Sequence, residues 1–196
     1  YPLGWKVDVC LTVQPEEAQQ GEAVFQQADC FIREQLGENL FGEDDEGLPL
    51  AVGRLLLEQH KRLCVAESCT GGLLSSCITE IPGSSAWFDG GVVVYSNNLK
   101  EKILGIDPGL LAEHGAVSEA CARAMAEQAL VRLDSDIALA ITGIAGPDGG
   151  SPDKPVGTVF IALADHAGTS AQRVQLQGSR REIQIQTAQR GLDMAR

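Results

Sequence analysis

The hydrophobic positions along this chain fall into short apolar runs separated by stretches of helical spacing, and the order of the two predicts the architecture. Val7, Val9, Leu11 and Val13 alternate with polar or small partners, which predicts a strand over residues 6–13. Pro15-Glu16-Glu17 reads as the start of a helix that carries Ala23, Val24, Phe25, Ala28, Ile32 and Leu36 and is ended by Gly37. Residues 39–42 read as a further short strand, and Glu43-Asp44-Asp45-Glu46-Gly47 as a solvated turn at a domain boundary. An element of this size cannot bury its own apolar face well, so it is expected to dock on something.

From Leu48 the pattern changes. Leu50, Val52, Leu55, Leu56 and Leu57 predict a helix leading into an apolar strand at 63–66; Gly71-Gly72 then opens a helix over 70–80, with Leu73, Leu74, Cys77 and Ile78 at helical spacing. Residues 90–95 are rich in β-branched side chains and read as a buried strand. Helices are predicted over 99–104, from Pro108, and over 119–132 with Ser118 as cap. Another apolar strand follows at 137–141. A glycine-rich loop over 142–156 precedes strands at 157–164 and 171–177, joined as a hairpin by Asp165-His166-Ala167-Gly168, and a helix over 180–193 ends the chain. The expected fold class is α/β: a layered mixed sheet, parallel at its centre with an antiparallel hairpin at one side, flanked by helices and preceded by a small α+β element. The domains are expected at 1–47 and 48–196.

Charge refines this division. The formal net charge is −12, but residues 1–50 contain eleven acids and only Lys6 and Arg33 as bases, so most of the acidity belongs to the leading segment. The balance argues against nucleic-acid binding, which relies on Lys and Arg at phosphates, and leaves an anionic small substrate free to approach the larger part. No apolar run is long enough to span a bilayer and no signal-peptide pattern opens the chain, so no membrane is expected and the localisation is expected to be cytoplasmic. The start, without methionine and on a strand-like segment, reads as part of a longer chain. Six cysteines show no CxxC pair and are expected as free thiols, five of them as small core residues. With no His/Cys/Asp cluster at ligand spacing, neither a metal nor a cofactor is expected.

Three predicted strand ends carry polar residues in unusual loops: Glu67-Ser68-Cys69-Thr70-Gly71-Gly72, Tyr95-Ser96-Asn97-Asn98-Leu99-Lys100, and Thr142-Gly143-Ile144-Ala145-Gly146-Pro147. In a parallel sheet all three open on the carboxyl edge, where ligands bind. Ser68, between strand and helix, has a nucleophile's placement, with backbone N–H groups of the first helical turn as anion donors; its plainer reading, or that of Thr70, is a helix cap. A serine nucleophile needs a base. Of the three histidines only His114 lies in a suitable loop, while Lys100, at the start of the helix after the second strand, is the better base if burial keeps it neutral. Tyr95 adds a hydroxyl at the same strand end, and Cys69 is a rival nucleophile.

These residues carry a resemblance. AESCTGG (66–72), GSSAWFDGGVVVYSN (83–97), Lys100, LGI (104–106), HGAVS (114–118), TGIAGPDGG (142–150) and KPVGTV (154–159) resemble the C-terminal domain of the competence/damage-inducible CinA family over residues 48–194, and residues 1–47 resemble part of its KH-like linking region. The resemblance implies hydrolysis of the carboxamide of nicotinamide mononucleotide to nicotinate mononucleotide and ammonia, in pyridine-nucleotide salvage. It further implies Ser68 as nucleophile, Lys100 as general base, and Tyr95 and Thr142 as supporting hydroxyls. Glu67, Thr70, Gly71, Gly72, Asn97, Gly143 and Arg180 are the expected substrate contacts. The oxyanion is expected at N–H groups of residues 70–72 or at Thr142. Ser179 stands where the family has an acid beside Arg180. A homodimer is implied, with KPVGTV or an exposed Trp87-Phe88 at its interface. The alternative is an inactive nucleotide-binding or dimerising module.

Overall fold

In the computed structural model, which describes residues 7–14, 18–44 and 46–196, the chain divides into two compact units, 1–47 and 48–196. The first contains helix α1, Ala18–Leu36, whose last turn tightens into a short 3-10 segment over Gly37–Asn39. Most of its apolar side chains stay exposed, Phe31, Val24 and Phe25 among them, because a lone helix has nothing within its own unit to cover a full face. The alternation at Val7 to Val13 makes no strand: Val7 forms a single bridge and residues 8–14 are irregular, as are 40–42. Alternation describes how a strand would face its surroundings, but a strand exists only with a hydrogen-bonded neighbour. The predicted helix start at Pro15-Glu16-Glu17, with Lys6 and Asp45, lies outside the described residues. Cys10 and Cys30 are exposed and not in a core, whereas Cys64, Cys69 and Cys121 are buried; all six are free thiols.

The second unit is built on five strands: β1 (Leu63–Glu67), β2 (Phe88–Val93), β3 (Ile137–Gly143), β4 (Thr158–Asp165) and β5 (Gly168–Gln175). Their order is β2-β1-β3-β4-β5, with β1 parallel to both β2 and β3, and β4 and β5 antiparallel, so the mixed α/β sheet is as expected. Six helices cover it: α2 (Leu48–Glu58), α3 (Leu73–Thr79), α4 (Asn97–Leu104), α5 (Pro108–His114), α6 (Glu119–Leu133) and α7 (Arg180–Ala195).

The two faces of the sheet differ in side-chain size. Cys64, Ala66, Ala138, Ala140, Ala162 and Ala164 meet Cys121, Ala122, Met125, Ala126 and Ala129 of α6 in one buried cluster, and small residues on both sides let that helix lie close. Leu139 and Ile141 point the other way, toward Gly191 of α7. Trp87 and Phe88 are not exposed as expected: Trp87 is only 2% exposed, its indole filling the space a Cβ would take on Gly53 of α2, and Phe88 is the first residue of β2. Among the described residues no helix is long and apolar enough to cross a membrane.

Candidate active site

β1, β2 and β3 end at one edge of the sheet, and a cavity of about 260 Å³ opens there. Its lining includes Ser68 and Cys69 after β1, Tyr95 and Lys100 after β2, Thr142 and Gly143 at the end of β3, and Arg180 at the start of α7.

The segment between β1 and α3 is the expected turn, lengthened because the helix predicted from residue 70 begins only at Leu73. Two tight turns fill it. The first closes with Gly71 N–H donating to Ser68 O at 3.1 Å, the second with Leu73 N–H donating to Thr70 O at 3.2 Å. Gly71 and Gly72 hold φ of 62° and 97° in the second turn, a backbone region that glycine occupies without steric cost. α3 therefore starts at Leu73, and neither Ser68 nor Thr70 caps it. The cap is Glu67. Its carboxylate, fully buried, accepts from the N–H groups of Gly72 (2.9 Å), Leu74 (3.1 Å) and Ser75 (2.8 Å) and from Ser75 Oγ (2.6 Å). A carboxylate at a helix N-terminus satisfies the orphan donors and complements the helix dipole. Glu67 thus lies outside the cavity lining, as do Gly71, Gly72 and Asn97; Thr70 is outside it too, although the peptide that carries its N–H begins at the lining residue Cys69, and of the N–H groups expected to face a substrate those of Gly71 and Gly72 are occupied.

Two backbone donors in the first turn remain. Among the described residues the N–H groups of Cys69 and Thr70 have no acceptor in another residue, while Ser68 N–H donates to Ile141 O at 3.0 Å. Thr142, the other expected oxyanion donor, spends its hydroxyl on Ala116 O at 2.7 Å. Of the expected oxyanion donors, the N–H groups of 70–72 and Thr142, only the Thr70 N–H is left without such an acceptor among the described residues, and the Cys69 N–H stands beside it.

Lys100 is carried by α4, which begins after Ser96, whose hydroxyl accepts from Leu99 N–H at 3.2 Å. From the first turn of that helix the side chain runs inward and is 1% exposed, an unusual place for a lysine. Its Nζ lies 2.9 Å from Ser68 Oγ, 2.8 Å from Val94 O and 3.4 Å from Tyr95 O. These are the only hydrogen-bond partners of Nζ among the described residues, and no carboxylate is one of them. Burial pushes the Lys100 ammonium below the ordinary lysine range. As a neutral amine it donates two N–H to the carbonyls and turns its lone pair to the Ser68 hydroxyl; as an ammonium it donates to all three oxygens. One geometry serves both protonation states.

The rival groups are disposed differently. Burial pushes the Cys69 thiol up to about 12, so it is protonated near neutrality. His60, His114 and His166 are all exposed and outside the cavity lining. Arg180 stands at the rim, with Nη1 donating to Gly146 O and Nη2 to Tyr95 Oη, both at 2.8 Å. Ser179 caps α7 in a reciprocal capping box with Glu182, which sets the direction from which Arg180 enters; Arg181 does not reach the lining. Asp148 also lines the cavity and was not singled out by sequence reasoning, although the GPDGG run holding it was. No cluster of three His, Cys, Asp or Glu able to hold a metal occurs among the described residues.

Comparison with known proteins places this geometry in a family. The family model described as CinA C-terminal domain matches residues 45–196. A CinA-like protein of Geobacter metallireducens is 47% identical over 196 residues, covering all of this chain and 47% of the relative; one of Geobacter sulfurreducens is 52% identical over 166 residues, covering 85% and 40%. The chain therefore spans about half the length of the curated relatives it matches. Among solved structures, a competence-damaged protein (CinA) superfamily protein from Klebsiella pneumoniae superposes with a TM-score of 0.73 at 36% identity, covering 76% of this chain and 92% of that one. One from Escherichia coli gives 0.73 at 31% identity, covering 80% and 94%. The chain belongs to the CinA family, whose C-terminal domain it carries over residues 45–196.

Proposed function

We propose that residues 48–196 form an amidohydrolase that converts nicotinamide mononucleotide to nicotinate mononucleotide and ammonia, with Ser68 as nucleophile and Lys100 as general base. The observation that carries this reading is the buried Lys100 Nζ, 2.9 Å from Ser68 Oγ, with carbonyl oxygens as its other partners. An amine in that setting takes a hydroxyl proton more readily than a solvated lysine does.

Ser68 Oγ gives its proton to Lys100 Nζ and bonds to the carboxamide carbon. The negative charge on the former carbonyl oxygen falls to the Cys69 and Thr70 N–H groups. The C–N bond then breaks as Lys100 passes the proton to the departing nitrogen, releasing ammonia and leaving a Ser68 ester. Water enters, yields a proton to Lys100 and attacks the ester carbon; the proton returns to Ser68 Oγ as the acid departs. The cavity, about 260 Å³, is small for a ligand site and suits a single ring, with the ribose phosphate directed outward to the Arg180 guanidinium.

The family resemblance adds a role in pyridine-nucleotide salvage, a cytoplasmic homodimer, and residues 1–47 as part of a KH-like linking region. The test of the hydrolase reading is ammonia release from nicotinamide mononucleotide. Ser68→Ala is expected to lower turnover at least about 10³-fold while keeping substrate affinity. Tight binding without turnover in the unaltered protein would leave the alternative, a nucleotide-binding or dimerising module.

A further inference from the structure

Gln184 lies on α7, one helical turn after Arg180, and its Nε2 donates to Cys69 O at 2.9 Å across 115 residues of sequence. The bond falls on a sensitive peptide. In the first turn after β1, closed by Ser68 O and Gly71 N–H, Cys69 and Thr70 are the two central residues, and the peptide between them is the one that rotates by about half a turn between type I and type II. The peptide is planar and trans, so holding the Cys69 carbonyl aims the Thr70 N–H the opposite way. Among the described residues that N–H and the Cys69 N–H are the two donors beside the nucleophile left without an acceptor in another residue. The Cys69 N–H belongs to the preceding peptide, whose carbonyl, Ser68 O, is already pinned by Gly71.

We propose that Gln184 is a positioning residue for the oxyanion site: by holding the Cys69 carbonyl from α7 it fixes the Cys69–Thr70 peptide so that the Thr70 N–H meets charge developing on the attacked carbonyl. The inference rests on the hydrolase reading above and adds a residue and a role to it. Thr70 is not among the residues with positive φ, and its β-branched side chain itself opposes the flipped turn, so part of the orientation survives without Gln184. The expected loss is therefore about tenfold, the worth of one hydrogen bond, below the 10²- to 10³-fold that follows outright loss of an oxyanion donor.

The test compares Gln184→Leu, which has no donor, Gln184→Glu, which keeps the shape but offers an acceptor, and Gln184→Lys, which restores a donor on a flexible stem. With nicotinamide mononucleotide, kcat is expected to fall about tenfold in the first two with KM within about twofold, and to recover to within about threefold in the third. Substrate affinity measured calorimetrically in a Ser68→Ala background is expected to stay unchanged on adding Gln184→Leu. Unchanged kcat in both donor-less variants overturns the inference, as does an equal loss in Gln184→Lys, or a parallel loss of kcat and ground-state affinity, which would mark a packing role. Should Gln184→Leu not fold, Gln184→Glu carries the comparison. Absence of turnover in the unaltered protein removes the hydrolase reading and this inference together, and is separately visible.

Discussion

Glu67 and Lys100 flank the same serine and are both shut away from water, yet their surroundings are opposite. The Glu67 carboxylate accepts four hydrogen bonds, three from the backbone around the start of α3. Lys100 finds two carbonyls and a hydroxyl, and among the described residues none of its hydrogen-bond partners is an acid. A buried charge given enough partners becomes structure; one left short of them is pushed toward its neutral, reactive form. The acid holds the turn that carries Ser68, and the amine lies 2.9 Å from the Ser68 hydroxyl.

That contrast is broken most sharply at Lys100. Lys100→Met keeps the length and apolar volume of the stem while removing the amine. Turnover is expected to fall by about 10²- to 10⁴-fold, the usual contribution of a general base. Stability at pH 7 is expected to rise by about 1 kcal/mol, as when functional strain is relieved. The sign follows from the lowered pKa. Below it, folding buries an ammonium and costs stability; between it and the ordinary lysine range the unfolded chain binds more protons than the folded one, so native stability climbs with pH. The advantage of Lys100→Met therefore shrinks as pH rises through that window. Over the same range kcat/KM of the unaltered protein is expected to increase with pH, with a midpoint below the ordinary lysine range. Urea unfolding and a pH–rate profile read both; a variant no more stable than the parent at pH 7 would mean that Lys100 is not under strain.

Glu67→Gln probes the other flank and is expected to act with the opposite sign. The amide supplies one acceptor where the carboxylate supplied two, and turns its NH₂ toward backbone N–H groups that then lose their partner. The expected cost is about 2 to 3 kcal/mol of stability, from two or more buried donors left unpaired, seen as a fall in Tm and in the urea midpoint. Ser68 would lose its placement along with the turn, so activity falls too, but as a consequence of instability and with part of it recovered at lower temperature. Equal stability of Glu67→Gln and the parent would make the carboxylate something other than a cap.

Much of this arrangement can be read along the chain, and the limits have physical reasons. The three strand-end loops stand out because polar residues and glycines interrupt apolar runs, and the sheet brings Ser68, Tyr95, Lys100 and Thr142 to one edge because β1, β2 and β3 are parallel. Glu67 as a cap was hidden because ordinary caps lie immediately before the helix, whereas this one reaches over two turns from the strand. The burial of Trp87 depends on the missing side chain of Gly53, 34 positions away in a different helix. Gln184 shows no motif at all, since its importance comes from a carbonyl that only the folded chain brings near. At Val7 to Val13 the alternation was clear, but no pattern along one segment reveals whether a partner strand exists.

The smallest expected effect concerns Cys69, next in sequence to Ser68 and lining the same cavity. Its thiol is pushed up to about 12, chiefly by burial, so only a minute fraction is thiolate near neutrality. In the proposed mechanism the site uses only the backbone of this residue, its N–H and its carbonyl, and Cys69→Ala preserves both. Turnover of Cys69→Ala is expected to stay within about threefold of the parent, and stability to fall by about 1 kcal/mol for the small apolar volume lost. Iodoacetamide at pH 7 is expected to modify exposed Cys10 and Cys30 well before Cys69. Activity lost in Cys69→Ala but kept in Ser68→Ala would transfer the chemistry to sulfur and give Lys100 a different proton to accept. The contrast between the two flanks would then have to be redrawn around the thiol.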